Sequence, residues 1–430
     1  MKKNIWKRLI IDSQEKDLSH VIPRNLAIPT EVNKIISLIG VRRGGKTYLL
    51  YSLIHQLRKK VHPTSIVFIN LEDDRLFPLH LSDMNEFVES YYELFPDHKN
   101  TMVYFFFDEI QNVPEWEKFI RRLQDTEQCR IFITGSSAKF LSKEIATSLR
   151  GRTVSFEVFP LSFTEYLRFR NIPVQMHSSR GVAKIRNALA QYIAQGGFPE
   201  TVGLNADLCQ KILHEYLGLI MYHDIIERHG AANTFLLKFL IKYCFANISN
   251  LLSFNKLYND FRSQGIQLSK NTLYEYISYL EDAYALFTVP VYATSLREGM
   301  RNPKKIYSID HALKQIVEVP FSVDTGRIYE NIVFLELRRK GRELFYVKGK
   351  KEVDFLFVEK GKYRLINVCY DIEHPETKKR EINGLIEVMK GLKCSEAVLV
   401  TGEKEETIKA GFKKIQVVPL WKWLLGDENR

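Results

Sequence analysis

Residues Gly40-Val41-Arg42-Arg43-Gly44-Gly45-Lys46-Thr47 follow the spacing G-x-x-x-x-G-K-T. Glycines at these places let successive backbone N–H groups turn inward without a Cβ in the way, which makes a cradle for phosphate oxygens. The apolar run "KIISLIG" before the loop reads as a buried strand, and "KTYLLYSLIHQLRK" after it as a helix whose N-terminus adds partial positive charge. In such a loop Lys46 reaches the outer phosphates of a nucleotide and the Thr47 hydroxyl ligates Mg2+. Gly40 to Thr47 are therefore the candidate cofactor-binding residues, with ATP and Mg2+ as the expected cofactors.

A second group of residues has the complementary chemistry. "YFFFDE" ends a nearly unbroken apolar strand in Asp108 and Glu109, 62 residues beyond Lys46 (108 − 46). Asp108 joins Thr47 as a candidate Mg2+ ligand, and Glu109 is the candidate base that polarises the attacking water. An Asp-Glu pair elsewhere would be a surface or helix-start pair, but a buried strand that empties into it favours catalysis. "ITGSS" ends the neighbouring strand, where Thr134 or Ser136 could sense the γ-phosphate, with Ser136 taken as the catalytic candidate. "LRGR" (149–152) offers Arg150 and Arg152 to bridge a nucleotide, in cis or across subunits, with solvated surface cations as the plain alternative. Arg152 is the candidate finger.

The elements that would position these groups alternate. Further strands read at 65–72, 102–109, 130–137 and 153–161, with helices at 83–95 and after Val113. Continuous apolar strands separated by amphipathic helices predict a parallel sheet covered on both faces, so the fold class is α/β. From Ser162 to about Asn233 the pattern turns helical and predicts a lid, broken by "GGFP" at 196–199. Residues 234–294 give helix, Gly-containing turn, Ser269 cap, second helix and the strand-like "FTVPVYA", the order of a winged helix-turn-helix. Tyr274, Tyr276, Ile277, Tyr279 and Leu280 read as its core, leaving Lys270, Asn271 and Thr272 able to contact DNA. Residues 295–430 read as a second α/β unit. The expected domains are thus 1–161, 162–233, 234–294 and 295–430.

Bulk composition narrows the class. With 430 residues, 45% hydrophobic and 26% charged, the chain is a multi-domain globular protein with no internal repeat. No apolar run has the length of a membrane span, and the N-terminal stretch lacks an apolar signal core, so a cytoplasmic location is expected. Ile5, Trp6, Leu9 and Ile10 predict one or two amphipathic turns that dock on the body. Five scattered cysteines without a C-x-x-C argue against zinc. The net charge is +11, of which +6 lies in 295–430 (27 basic, 21 acidic), concentrated in "RRKGR" and "KGKK". Such clusters suit nucleic-acid phosphates or a merely solvated face equally.

Taken in order, "GVRRGGKT", "FFFDEIQ", "ITGSSAKFL", "GRTVSFEVFPLSFTEYL" and "GGFPE" make the chain resemble the archaeal and bacterial AAA-family ATPases of the AAA+ superfamily. The resemblance spans nearly the whole chain and is strongest over 34–200. It implies a five-stranded P-loop sheet, a helical lid, a winged helix and a C-terminal restriction-endonuclease-like module. In that module an Asp on one strand and Glu-x-Lys on the next hold Mg2+ and position water, often with a helix acid. Here Glu330, Glu352 and Asp354 are present, but Asn367 stands where Glu should be and Cys369 where Lys should be. Neither can replace the lost charges, so nuclease activity is not expected. The expectation is a Mg2+-dependent ATPase whose nucleotide state controls a C-terminal half that binds DNA, weakly read for sequence, or a protein. Further copies of the chain are additional candidate partners, and membranes are not. An ATP-regulated nuclease and a slow signalling-type nucleotide switch are the alternatives.

Overall fold

The computed structural model describes residues 2–135, 148–231, 233–293, 295, 298–299, 302–317, 324–349 and 352–426. The chain forms two compact units, Met1–Phe159 and Pro160–Arg430.

The first unit is a parallel five-stranded sheet: β1 (Ile35–Ile39), β2 (Ile66–Asn70), β3 (Val103–Asp108), β4 (Cys129–Thr134) and β5 (Thr153–Glu157), in the order β2-β3-β4-β1-β5. β1 and β3 are buried along their whole length, because helices cover both faces. One face packs the helix Lys46–Leu57 through Leu49, Leu50, Leu53 and Leu57 against Ile36, Phe106 and Phe132. Helix Lys2–Glu15 packs on helix Asp83–Leu94 and β2. Its Trp6 is fully buried and meets Phe87 edge-on, with ring centroids 5.4 Å apart. Burial of that indole contributes about 2–3 kcal/mol. The helix is longer than the one or two turns its apolar residues predict. Its charged residues account for the rest: Lys2 pairs with Asp83, and Lys3 and Lys7 pair with Glu93.

In the second unit a helical stretch comes first: Phe163–Phe169, Ser179–Gln195 and Ala206–Leu219. Ser162 opens the first of these with a reciprocal capping box to Glu165. "GGFP" ends the second, and its constraint is a close approach. Gly196 has φ +79°, and a Cβ there would lie 2.2 Å from Asp310 Oδ1, while Gly197 N donates to Asp310 Oδ2 at 2.6 Å. Helices Thr234–Ala246, Phe254–Ser263 and Lys270–Asp282 follow, with β6 (Leu251–Leu252), β7 (Leu286–Val289) and β8 (Lys304–Ser308) forming an antiparallel sheet ordered β6-β8-β7. The remainder is a mixed six-stranded sheet, β9 (Phe345–Lys348) to β14 (Lys413–Pro419), in the order β13-β14-β12-β11-β10-β9. Its other members are β10 (Glu352–Glu359), β11 (Lys362–Val368), β12 (Glu396–Thr401) and β13 (Glu406–Ala410). Helices Thr325–Arg339 and Pro375–Gly391 pack on it. The α/β class is as expected, with one parallel sheet and a further sheet in the C-terminal half.

Two expectations need correcting here. Arg339 of "RRKGR" is no surface cation: its guanidinium donates to the carbonyls of Pro160 (2.9 Å) and Leu161 (3.2 Å) and pairs with Glu336. Tyr274 is not core: it is 50% exposed and stacks on Phe254 with centroids 4.1 Å apart, whereas Tyr276, Ile277 and Leu280 are buried.

Candidate active site

β1 runs directly into the glycine loop, and the helix that leaves it starts at Lys46. Gly40 has φ +144°, and a Cβ there would meet the Val158 carbonyl oxygen at 2.3 Å, so no other residue fits beneath the loop. Gly45 has φ +96° and caps the helix, again in a region closed to most side chains. Lys46 is buried, and its ammonium donates to the carbonyls of Gly40 (2.9 Å) and Val41 (3.0 Å).

Across the sheet, the tips of β3 and β4 complete the cluster. Asp108 is 2% exposed and accepts from Thr47 Oγ1 at 2.8 Å through one oxygen and from Thr134 Oγ1 through the other. Thr134 Oγ1 in turn accepts from the backbone N–H of Glu109 at 3.0 Å. Glu109 itself adopts φ +52°, and its carboxylate accepts from Gln111 Nε2 at 2.5 Å. Burial pushes the Asp108 carboxyl up to about 6. Hydrogen bonding from Thr134 opposes the rise, the neighbouring Glu109 charge adds to it, and Thr47 and Lys46 lower it again. A carboxylate so placed gains from a cation, which the Thr47 hydroxyl beside it could share. The donor set, one hydroxyl and one carboxylate at a phosphate loop, fits Mg2+.

The expected residues therefore come together at one end of the sheet: Gly40 to Thr47, Asp108 and Glu109, with Thr134 tying β4 to them. Ser136 lies outside the described residues. Arg152 is elsewhere. It precedes β5, its carbonyl accepts from Ile35 N at the start of β1, and its guanidinium pairs with Asp125 at 2.7 Å. β1 and β5 run parallel with Ile35 opposite Thr153 and Ile39 opposite Glu157, so Arg152 is a strand's length from the loop, about 15 Å. Of the two arrangements expected for it, in cis and across subunits, contact within one chain is not available.

Two participants escaped the sequence reading. Arg24 donates to the carbonyls of Gly44 (3.3 Å) and Phe159 (2.7 Å), clamping the loop from the N-terminal segment. Nothing in "IPRNL" marks it as a loop residue. Glu72, two residues beyond β2, has its pKa raised by burial and by the charge of Glu109, so it belongs to the same electrostatic group. The acidic "NLEDD" at a strand end was the available signal.

A parallel sheet in this order, with the glycine loop after β1 and an Asp-Glu pair after β3, is the frame of a P-loop ATPase domain. Residues 32–167 match the family model described as an AAA domain, and residues 186–318 match one described as a domain of unknown function (DUF8612). The chain belongs to the family of an uncharacterized protein of Methanocaldococcus jannaschii, MJ1544, to which it is 39% identical over 99% of this chain and 96% of that protein. An uncharacterized protein of Haemophilus influenzae is 31% identical over 92% of this chain and 95% of its own length. Among solved structures, the Aeropyrum pernix ORC1 protein in complex with DNA covers 74% of this chain and 91% of its own at 13% identity, with a TM-score of 0.27. That likeness is too shallow to carry chemistry across. The AAA match supports nucleotide binding and ATPase chemistry in general. No described helix is long and apolar enough to cross a membrane.

Proposed function

We propose that this chain binds ATP with Mg2+ at Gly40–Thr47 and hydrolyses it with Glu109 as the general base. The observation that carries the reading is the convergence of Thr47, Asp108 and Thr134 at the mouth of the glycine loop, with Glu109 next in the chain. Lys46 supplies a positive charge for the outer phosphates. Thr47 and Asp108 would hold Mg2+, which when bound neutralises charge on the phosphates during transfer. Thr134 fixes the backbone of Glu109 and so the origin of its carboxylate. Gln111 holds that carboxylate by one oxygen, beside the place where a base would meet water.

The test is a pair of variants. Lys46→Ala should bind no nucleotide in a fluorescent-nucleotide titration. Glu109→Gln should bind as tightly as the parent and turn over at least ~100-fold more slowly, the scale on which a general base acts. Parental turnover by Glu109→Gln would remove Glu109 from the mechanism.

The same proposal extends to the second unit, with a helical lid at 162–233, a winged helix that starts at 234 and takes in β8 (Lys304–Ser308), so running past the expected boundary at 294, and a nuclease-like module after it. Helix, short strand, two helices and a hairpin, with sheet order β6-β8-β7, support the winged helix. Exposed Lys256, Arg262, Lys270 and Asn271 beside the stacked Phe254–Tyr274 pair favour DNA as what it meets. Nucleotide state then controls how the second unit engages its partner.

A further inference from the structure

Lys305 is on β8, in the small antiparallel sheet, yet its ammonium is buried among acids from the larger sheet and from a helix packed on it. Its side chain is 2% exposed, and its Nζ lies 2.9 Å from Glu330 Oε1, 2.7 Å from Glu352 Oε1 and 2.7 Å from Asp354 Oδ1. An ammonium has three N–H donors, so these three carboxylates use them all and leave none for a water. The acids come from two elements. Glu330 is on helix Thr325–Arg339, where Tyr307 OH also donates to it at 2.7 Å, and Glu352 and Asp354 are on β10.

The surroundings hold this geometry firmly. Asp354 Oδ2 accepts from Val368 N at 2.7 Å, and Asp354 N donates to Asn367 Oδ1 at 3.1 Å. Asn367 Nδ2 reaches Glu381 at 2.9 Å. The register between β9 and β10 shifts between Val353 and Leu356, and Asp354 falls inside that irregularity, a device that re-aims a side chain. Burial alone would lower the Lys305 pKa, but Asp354 and Glu330 outweigh it and hold the ammonium charged. Burial and Asp354 push Glu330 up to about 8, which relieves the surplus of negative charge.

We propose that the Lys305 ammonium is the resident cation of this carboxylate cage, standing where three acids converging at such distances would otherwise gather a divalent ion. Three oxygens at 2.7–2.9 Å around one point need to close by only a few tenths of an ångström to suit Ca2+, at roughly 2.3–2.6 Å. Among the described residues no three or more His, Cys, Asp or Glu side chains are disposed to hold a metal together. Lys305 also fastens β8 to β10 and to helix Thr325–Arg339, which Asn331 joins again through Ser308. The cage is then a bolt between two sheets and not a metal-dependent hydrolytic centre. This holds whatever the glycine loop does with nucleotide.

The full chain tests it, as parent, Lys305→Ala and Lys305→Ala/Asp354→Asn, with Ca2+ for thermal melts and Tb3+, of similar size, for luminescence excited through the adjacent Tyr307. The parent should give no luminescence sensitive to Asp354→Asn and no Ca2+-dependent rise in Tm, and should leave plasmid uncut in Mg2+ or Mn2+. Lys305→Ala should melt several degrees lower in chelator, recover in Ca2+ and gain sensitised luminescence that the second substitution abolishes. If Lys305→Ala folds only when Ca2+ is present, that recovery supports the proposal equally. Metal binding or DNA cleavage by the parent that depends on Asp354 would overturn it. So would a Lys305→Ala protein that neither recovers nor luminesces in metal.

Discussion

Asp108 illustrates how a carboxylate buried beside a glycine loop weakens the fold that holds it. Its carboxyl is raised to about 6 by burial, against about 4 in an unfolded chain. The folded protein thus binds the proton more tightly, and stability falls as pH rises from about 4 through 6, with the whole penalty present above that. A gap near two units is worth up to about 3 kcal/mol. Asn at this position escapes the charge penalty but loses one accepted hydrogen bond, since its amide nitrogen cannot accept, at about 1 kcal/mol. Asp108→Asn should therefore melt above the parent near neutral pH in Mg2+-free buffer, by up to ~2 kcal/mol of stability, and the order should reverse below about pH 4. A series of melts across pH checks it; a constant difference would mean that Asp108 is ionised without cost. Turnover should be lost in the same variant.

At the scale of elements, much of the first unit was legible because its physics is one-dimensional. Each strand is an apolar run ending in the residues that matter, and Gly40, Gly45, Asp108 and Glu109 follow from chain order alone. The strand order was not legible, because nothing in Val103–Asp108 says that β4, and not β1, lies beside it on the way to the loop. Partners that meet only in three dimensions were missed for the same reason. Arg339 in "RRKG" reads as a phosphate-binding or solvated charge, and nothing in "PKKIYS" marks Lys305 at all, since the carbonyls and carboxylates that bury them come from distant segments. "GGFP" gave a break without its cause, the carboxylate of Asp310 against Gly196. Gly196→Ala adds both a φ of +79° and a contact of 2.2 Å to a buried acid, so it should cost the fold about 2–4 kcal/mol. Gly230→Ala, with φ +61° and open space around its Cβ, should cost only about 1 kcal/mol. Denaturant midpoints of the two variants distinguish a collision from conformational preference alone.

For the whole molecule, the burial of Arg339 changes where a DNA-binding test should be aimed. Reversing its charge would break the hydrogen bonds to Pro160 and Leu161 and unsettle the fold, so lost binding there would mean little. The exposed cations Lys256 and Arg262 are cleaner. If the second unit grips phosphates, anisotropy of a labelled duplex should fall steeply with salt. Lys256→Glu should weaken binding to all sequences alike and reduce the salt slope by about 1. Asn271→Ala should alter only a preference among sequences. The series belongs in ATP, in ADP and without nucleotide. No binding at low salt in any of them leaves a protein partner as the reading.

The position of Arg152, at the opposite end of β5 from the glycine loop, sets a rule of arithmetic for turnover. Its pairing with Asp125 at the surface holds it weakly, so it is at liberty to exchange partners. If Arg152 serves a nucleotide and is not simply a surface cation, that nucleotide is a neighbour's, and neighbours are supplied by mass action. Activity per chain should then climb with protein concentration before levelling. Arg152→Ala should flatten the climb, and mixing it with Lys46→Ala should restore turnover that neither variant has alone. A rate per chain that is constant with dilution would show that each molecule works by itself, without this arginine.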